Sequence, residues 1–199
     1  MITTPTFDPL QLALPARWLT PRLILRCPTP DDIDEVNAAV AESLPRLKPW
    51  MPWAQDAPTR ERADTEFRAM QARFLKREDL AMFMFERAPG DAQGRFVGGC
   101  GLHRIRWDVR CFEIGYWRRS GAAAGLIDEA VQALTRVAFD DFNARRVEIR
   151  MDANNHASRR VAQRSGYTFE GVLRADSLTP TGESRDTRLY SRVRGVEEP

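Results

Sequence analysis

Histidine and cysteine are scarce in this chain. Two histidines, His103 and His156, are too few for a histidine-based metal site, so no metal is expected. The three cysteines, Cys27, Cys100 and Cys111, are odd in number and show no C-x-x-C spacing. They fit reduced thiols in the cytoplasm and exclude a disulfide framework. No apolar run approaches a membrane span, and no membrane association is expected. Pro5, Pro9 and Pro15 break up the stretch where a signal peptide needs a continuous apolar core. A large excess of one charge sign is missing too. The formal net charge is +2, so no long-range attraction to nucleic acid is expected.

What is present suits one domain over residues 1–199: 43% of the residues are hydrophobic and 29% charged. Arginines cluster at Arg104, Arg106, Arg110, Arg118, Arg119, Arg145, Arg146 and Arg150. They read either as a salt-bridged surface or as a side that faces an anion.

Periodicity divides the chain into short strands and helices. Residues 1–20 read as an irregular arm, and RLILR (22–26) as a short strand. Pro30, Asp31 and Asp32 then open a helix with Ile33, Val36, Val40 and Leu44 on one face. The stretch 45–58, PRLKPWMPWAQDAP, carries four prolines and two tryptophans and reads as an unusually apolar loop. A second helix sets Ala63, Phe67, Met70 and Phe74 four, three and four residues apart. LAMFMFER (80–87), RFVGGCGLHRI (95–105) and RCFEIGYW (110–117) read as three strands joined by turns. A helix over 124–139 turns Leu126, Ala130, Leu134, Val137 and Ala138 inward. RRVEIRM (145–151) alternates as a strand does, and 155–165 is a short helix stopped by Gly166. A hairpin around Thr181 and Gly182 closes the chain. This order predicts a mixed α/β fold, a mostly antiparallel central sheet with helices on both faces.

Between EIGYW and the next helix the chain reads RRSGAAAGL, a junction almost without bulk. A helix N-terminus leaves backbone N–H groups unpartnered and favours negative charge. Small residues there let a phosphate approach. The junction reads as a pyrophosphate cradle or, equally, as a turn that lets the helix pack closely on the sheet. It is neither a P-loop nor a G-x-G-x-x-G fingerprint.

From about Thr20 to Val193 six segments follow in order: LTPRLILR, SLPRLKPWMPW, EIGYW, NHASRRVAQRSGY, EGVLR and RDTRLYS. Together they resemble the GNAT superfamily of acetyl-CoA-dependent N-acetyltransferases. Within it they resemble the branch that acetylates the N-terminal amines of ribosomal proteins. The resemblance implies the GNAT acyltransferase fold, acetyl-CoA as co-substrate and an amine acceptor such as a ribosomal-protein N-terminus, with a homodimer left open. In this family the cradle is usually [QR]-x-x-G-x-[GA]; here Ser120 takes the first position and Ala123 replaces the first motif glycine.

The resemblance also implies site residues. Trp117, Arg118 and Arg119, then Ser120, Gly121, Ala122, Ala123, Ala124, Gly125 and Leu126, would hold the coenzyme. Asn155 would lie beside its pantetheine arm and Ser158 near its sulfur. Read alone, Asn155 is a good helix N-cap and Ser158 an ordinary first-turn residue. Many family members place a tyrosine four residues after this serine; here that position is Ala162. Ser158 is therefore the candidate donor to the leaving thiolate.

Glu113 is the first candidate base, and it reads equally as a cross-strand partner of Arg104 or Arg106. Alternation puts Glu113, Gly115 and Trp117 on one face of the strand and Phe112, Ile114 and Tyr116 on the other. Asp176 is the second candidate, although the family's proposed base falls on Ser177, on the opposite face. No histidine relay is expected. Trp50 and Trp53, beside Met51, either plug the space beneath their loop or wall a substrate groove at the acceptor entrance. Two alternatives stay open, a small-molecule amine acetyltransferase and a non-catalytic acyl-CoA-binding module. An RNA-binding role would rest on the arginines alone.

Overall fold

The computed structural model describes residues 7–198. Its frame is an eight-stranded sheet made of β1 (Trp18–Leu19), β2 (Leu23–Arg26), β3 (Leu80–Arg87), β4 (Gln93–Arg106), β5 (Cys111–Arg118), β6 (Arg146–Asp152), β7 (Thr168–Leu178) and β8 (Ser184–Val193). The spatial order is β1-β2-β3-β4-β5-β6-β8-β7. Every neighbouring pair is antiparallel except β5 and β6, which run parallel. Four helices cover the faces: α1 (Ile33–Leu47), α2 (Arg60–Leu75), α3 (Leu126–Arg136) and α4 (His156–Arg164).

Cover on both faces explains why the central strands are apolar at consecutive positions rather than alternating. On β3, Met82 and Met84 enter the layer shared with α3 and α4, while Phe83 and Phe85 enter the layer shared with α1 and α2. The first layer packs Leu126, Ala130, Val131 and Leu134 of α3 against Phe112 and Ile114 of β5. The second packs Ile33, Val36 and Val40 of α1 and Phe67 of α2 around Phe96. Phe83 and Phe96 meet edge to face with centroids 5.1 Å apart, the arrangement that ring quadrupoles favour.

Three expectations change. The arm expected over 1–20 is not irregular throughout: residues 1–6 lie outside the described ones, but Trp18 and Leu19 pair with Leu25 and Ile24. That short strand covers the outer edge of β2, which would otherwise offer unpaired backbone groups. α1 runs through Pro45 to Leu47 instead of ending before the loop. A proline in the last turn removes one backbone donor, and the extra turn buries Leu47. The third helix ends in a π-type turn, Val137–Asp141, closed by Phe142 N–H to Val137 O at 3.1 Å. The turn keeps Val137, Ala138 and Phe139 buried. Among the described residues all three cysteines are free, and no helix is long and apolar enough to cross a membrane.

Candidate active site

The parallel pair β5–β6 holds together at only three positions: Cys111 with Arg146, Phe112 with Val147 and Glu113 with Glu148. Beyond Glu113 the strands part. β5 stays paired with β4 out to Arg118, and β6 with β8 out to Asp152. Their facing edges therefore stand open in the middle of the sheet, with backbone groups available to a ligand. A cavity of about 1000 Å³ fills the gap, lined by Gly125 at the helix start, by Asn155 and Ser158 of the α4 end, and by Trp50, Trp53, Glu113 and His103.

At the first end, Gly125 caps α3 in the left-handed conformation (φ 80°) and brings no capping side chain. The first helical bond runs from Glu129 N–H to Gly125 O at 3.1 Å. The N–H groups ahead of it are orphans of the helix end. Gly121 is also left-handed (φ 74°), so both glycines supply turns that a Cβ would strain. Two guanidinium groups hold carbonyls of the junction: Arg118 Nη1 donates to Ala123 O at 3.2 Å and Arg22 Nη1 to Ala124 O at 3.3 Å. Not every expected backbone donor is free. Ser120 N–H donates to the Ser43 hydroxyl at 2.9 Å, and Arg119 N–H to Val97 O at 2.9 Å. The Arg119 side chain is likewise committed, paired with Glu42 at 2.9 Å. Ala122 is buried, while Gly125 and Arg118 line the cavity.

In the middle, Asn155 caps α4: its Oδ1 accepts from Ser158 N–H at 3.0 Å. The Ser158 hydroxyl lies 2.8 Å from the Tyr116 hydroxyl, which comes from β5. Burial pushes the Tyr116 phenol up to about 12, against the smaller opposing pull of Ser158. It stays protonated and able to donate. Ala162, where the resemblance places a tyrosine in many members, is fully buried. A phenol thus reaches Ser158 from the strand instead of from the helix.

On the tryptophan side, Trp117 crosses Gly99 and meets Trp53 at 5.7 Å and Phe96 at 5.5 Å between centroids. Trp53 is 44% exposed and, with Trp50, lines the cavity, so the loop forms a wall and not only a plug. Glu113 also lines it, on the face expected from alternation, shared with Gly115 and Trp117. Its Oε2 is buried without a hydrogen bond, 3.5 Å from Arg104 Nε and 3.9 Å from Arg150 Nε. Burial raises this carboxyl above the usual range and outweighs both guanidinium groups. Asp176 does not join it at the cavity: on β7 it accepts from Arg150 Nη2 at 3.0 Å. The clustered arginines are largely engaged within the chain, Arg146 with Glu170 at 2.6 Å and Arg106 with Glu148 at 3.8 Å among them.

Sequence reasoning missed Tyr116, Asp79 and His103. His103 lines the cavity beside Glu113, and its Nδ1 lies 2.7 Å from Asp79 Oδ2. No histidine relay was expected, yet this pair stands at the cavity wall. A signal was available in the glycines of VGGCGLHR and EIGYW, but only strand register shows that Gly101 and Gly115 face each other.

Strands that part beside a bare helix start leave a slot suited to an elongated anionic donor, with protonatable groups along its wall. The profile of the acetyltransferase (GNAT) domain matches residues 22–168. The chain belongs to that family and is an acetyltransferase of the GNAT class. It is 26% identical over 177 residues to YdaF of Bacillus subtilis (strain 168), provisionally named a ribosomal N-acetyltransferase, covering 86% of this chain and 91% of that one. It is 32% identical over 103 residues to the ribosomal-protein-serine acetyltransferase of Escherichia coli (strain K12), covering 51% of this chain and 56% of that one. Among solved structures, the microcin C7 self-immunity acetyltransferase MccE in complex with acetyl-CoA and AMP shares the fold at a TM-score of 0.78 and 20% identity, over 88% of this chain and 94% of that one.

Proposed function

We propose that this protein transfers the acetyl group of acetyl-CoA to the α-amine of a protein or peptide N-terminus, such as that of a ribosomal protein, with the whole chain acting as one domain. The observation that carries the reading is the continuity of the cavity. It joins a backbone-lined slot, suited to an elongated anionic donor, to an open mouth walled by Trp50 and Trp53, suited to the end of a chain. The residues fit acetyl-CoA. The N–H groups before Glu129 would meet the diphosphate, and the open edge of β5 near Trp117 and Arg118 would meet the pantetheine arm. Asn155 holds the α4 end in place. The bound thioester would supply the activated acetyl group, and a backbone N–H of the slot would polarise its carbonyl. Ser158, backed by the Tyr116 phenol, would donate to the departing sulfur. Glu113 would accept a hydrogen bond from the acceptor nitrogen. No metal takes part in this scheme.

Charge at the mouth and amine chemistry favour an α-amine over lysine. Arg104 and Arg150 flank Glu113, which disfavours a second, permanently cationic guest. An α-amine titrates near 7.7–8.0 and a lysine near 10.4, so neutrality at pH 7 costs roughly 1 kcal/mol for the first and nearly 5 kcal/mol for the second. The names of the two relatives support a ribosomal-protein acceptor. A panel of N-terminal peptides, lysine peptides and polyamines, read by released thiol, tests the reading. Turnover should be confined to free N-termini. Efficient turnover of lysine side chains or polyamines with N-terminal peptides inert would sink it.

A further inference from the structure

His103 stands on β4 opposite Glu113 of β5. Its ring lies across the two strands, and two glycines make room for it. A Cβ at Gly101 would stand 2.9 Å from His103 Nε2, and one at Gly115 would stand 2.8 Å from Cδ2 and 3.1 Å from Nε2. Alanine at either place would lift the ring off the sheet. Gly101 and Gly115 are themselves cross-strand partners, so the seat is a bare patch built from both strands. Neither glycine has a left-handed φ. At Gly101 a Cβ would also meet Leu80 O at 2.6 Å, so the neighbouring strand shares in the requirement there; at Gly115 the imidazole alone sets it.

The other edge of the ring is fixed. Asp79 Oδ2, just ahead of β3, lies 2.7 Å from Nδ1. A carboxylate can only accept, so Nδ1 carries the hydrogen and neutral His103 leaves its lone pair on Nε2. Nε2 makes no hydrogen bond among the described residues, and the side chain is 32% exposed at the cavity wall. A packed core histidine would have both nitrogens satisfied. The charged groups nearest the ring are Asp79 and, across the strand, Glu113, whose carboxyl is in turn approached by Arg104 and Arg150.

We infer that His103 Nε2 is the group that takes the proton from the acceptor amine, with Asp79 as the residue that sets its tautomer and Glu113 as the hydrogen-bonding neighbour. The inference rests on the proposed amine acetyl transfer. In the step, the acceptor N–C bond forms as the thioester C–S bond breaks. The nitrogen gives its surplus proton to Nε2, which later passes it to water. The departing thiolate gains a proton from water by way of the Ser158 hydroxyl. One proton leaves nitrogen and one reaches sulfur, so charge balances. A carboxyl accepting from one imidazole nitrogen while the other serves as base is the arrangement that orients histidine bases generally.

Two measurements test this. The first is kinetic, on the best acceptor of the wild-type enzyme. His103→Gln should lower kcat/KM by about 10²-fold, the low end for general base catalysis, and leave the acetyl-CoA Kd unchanged. His103→Ala should regain activity with added imidazole, and Asp79→Asn should lose about tenfold. The second needs no acceptor. Long-range ¹⁵N–¹H imidazole spectra, with His156→Gln to assign the two histidines, should show the Nδ1–H tautomer at His103 and a mixture in Asp79→Asn. A fully active His103→Gln enzyme, or an Nε2–H tautomer, would overturn the inference and leave the acetyl-transfer reading intact. Turnover of small amines only, with the same His103 loss, would overturn the N-terminal acceptor alone. An enzyme inert toward every amine would overturn both.

Discussion

The two ends of the cavity are built from different material. The end at Gly125 offers backbone: orphan N–H groups, left-handed glycines and an open strand edge. The rest of the lining, the second end, offers side chains: indoles, a buried carboxyl and an imidazole bonded to aspartate. Backbone donors are the same in every residue. The first end can therefore accept Ser120 and Ala123 where relatives usually carry other residues, and still present its N–H groups. Side chains cannot be exchanged so freely, and the second end is where acceptor choice should reside. Changes at the first end should act on coenzyme affinity and changes at the second on the acceptor, with Ser158 and Tyr116 between them acting on chemistry.

The largest effect should come from Gly125→Glu. A carboxylate at the helix start would meet the diphosphate and block its donors, and acetyl-CoA affinity in calorimetry should fall by about 10³-fold, some 4 kcal/mol. Gly125 has φ 80° and its Cβ would stand 3.2 Å from Arg22 Nη2. Gly125→Ala is therefore the control, since it carries the same backbone strain without the charge. Equal losses in the two variants would mean that the cradle assignment is only a turn requirement.

Next should come Ser158→Ala and Tyr116→Phe. If the hydroxyls act as one unit on the departing sulfur, each should lower kcat by about 10²-fold with the acetyl-CoA Kd little changed. The double variant should be no worse than either single one, because groups in one network are not additive. Additive losses would separate the two hydroxyls and return Tyr116 to packing.

Smaller again is Trp53→Ala. It should raise the KM for a peptide acceptor by about tenfold and spare coenzyme binding. A weakened acetyl-CoA Kd would break the division between the two ends.

The smallest effect is on stability. Burial raises the Glu113 carboxyl. A carboxyl raised in the folded state favours folding most where it is protonated, and stability declines as pH rises from the ordinary carboxylate range through the raised value. Glu113→Gln removes that decline. Its Tm should exceed that of the wild type by roughly 2 °C near pH 8 and match it near pH 4. A variant less stable at both pH values would show that the arginines, not burial, dominate at Glu113.

Much of the frame was legible because it depends on local pattern. The spacing of Ala63, Phe67 and Phe74 and the apolar run LAMFMFER have only one economical burial, against a two-sided sheet. The alternation that put Glu113, Gly115 and Trp117 on one face follows from the pleat and needed no tertiary information. Asn155 announced its cap by residue type, and SGAAAG announced a helix start without a capping side chain. Where chain order sufficed, the α/β architecture, the bare junction and the resemblance to GNAT acetyltransferases could all be reached from the residues themselves. Tertiary structure alone decided what meets across the sheet. Asp79 and His103 are 24 residues apart, and Tyr116 and Ser158 are 42 apart. No periodicity predicts either pair, since contact across strands depends on register and on where β5 leaves β6. The same holds for Asp176, which a sequence offset could not place and which pairs with Arg150 without lining the cavity. Residue type and spacing determined the elements and the backbone-built end of the site. Strand register, and the burial that came with it, decided which side chains meet at the cavity.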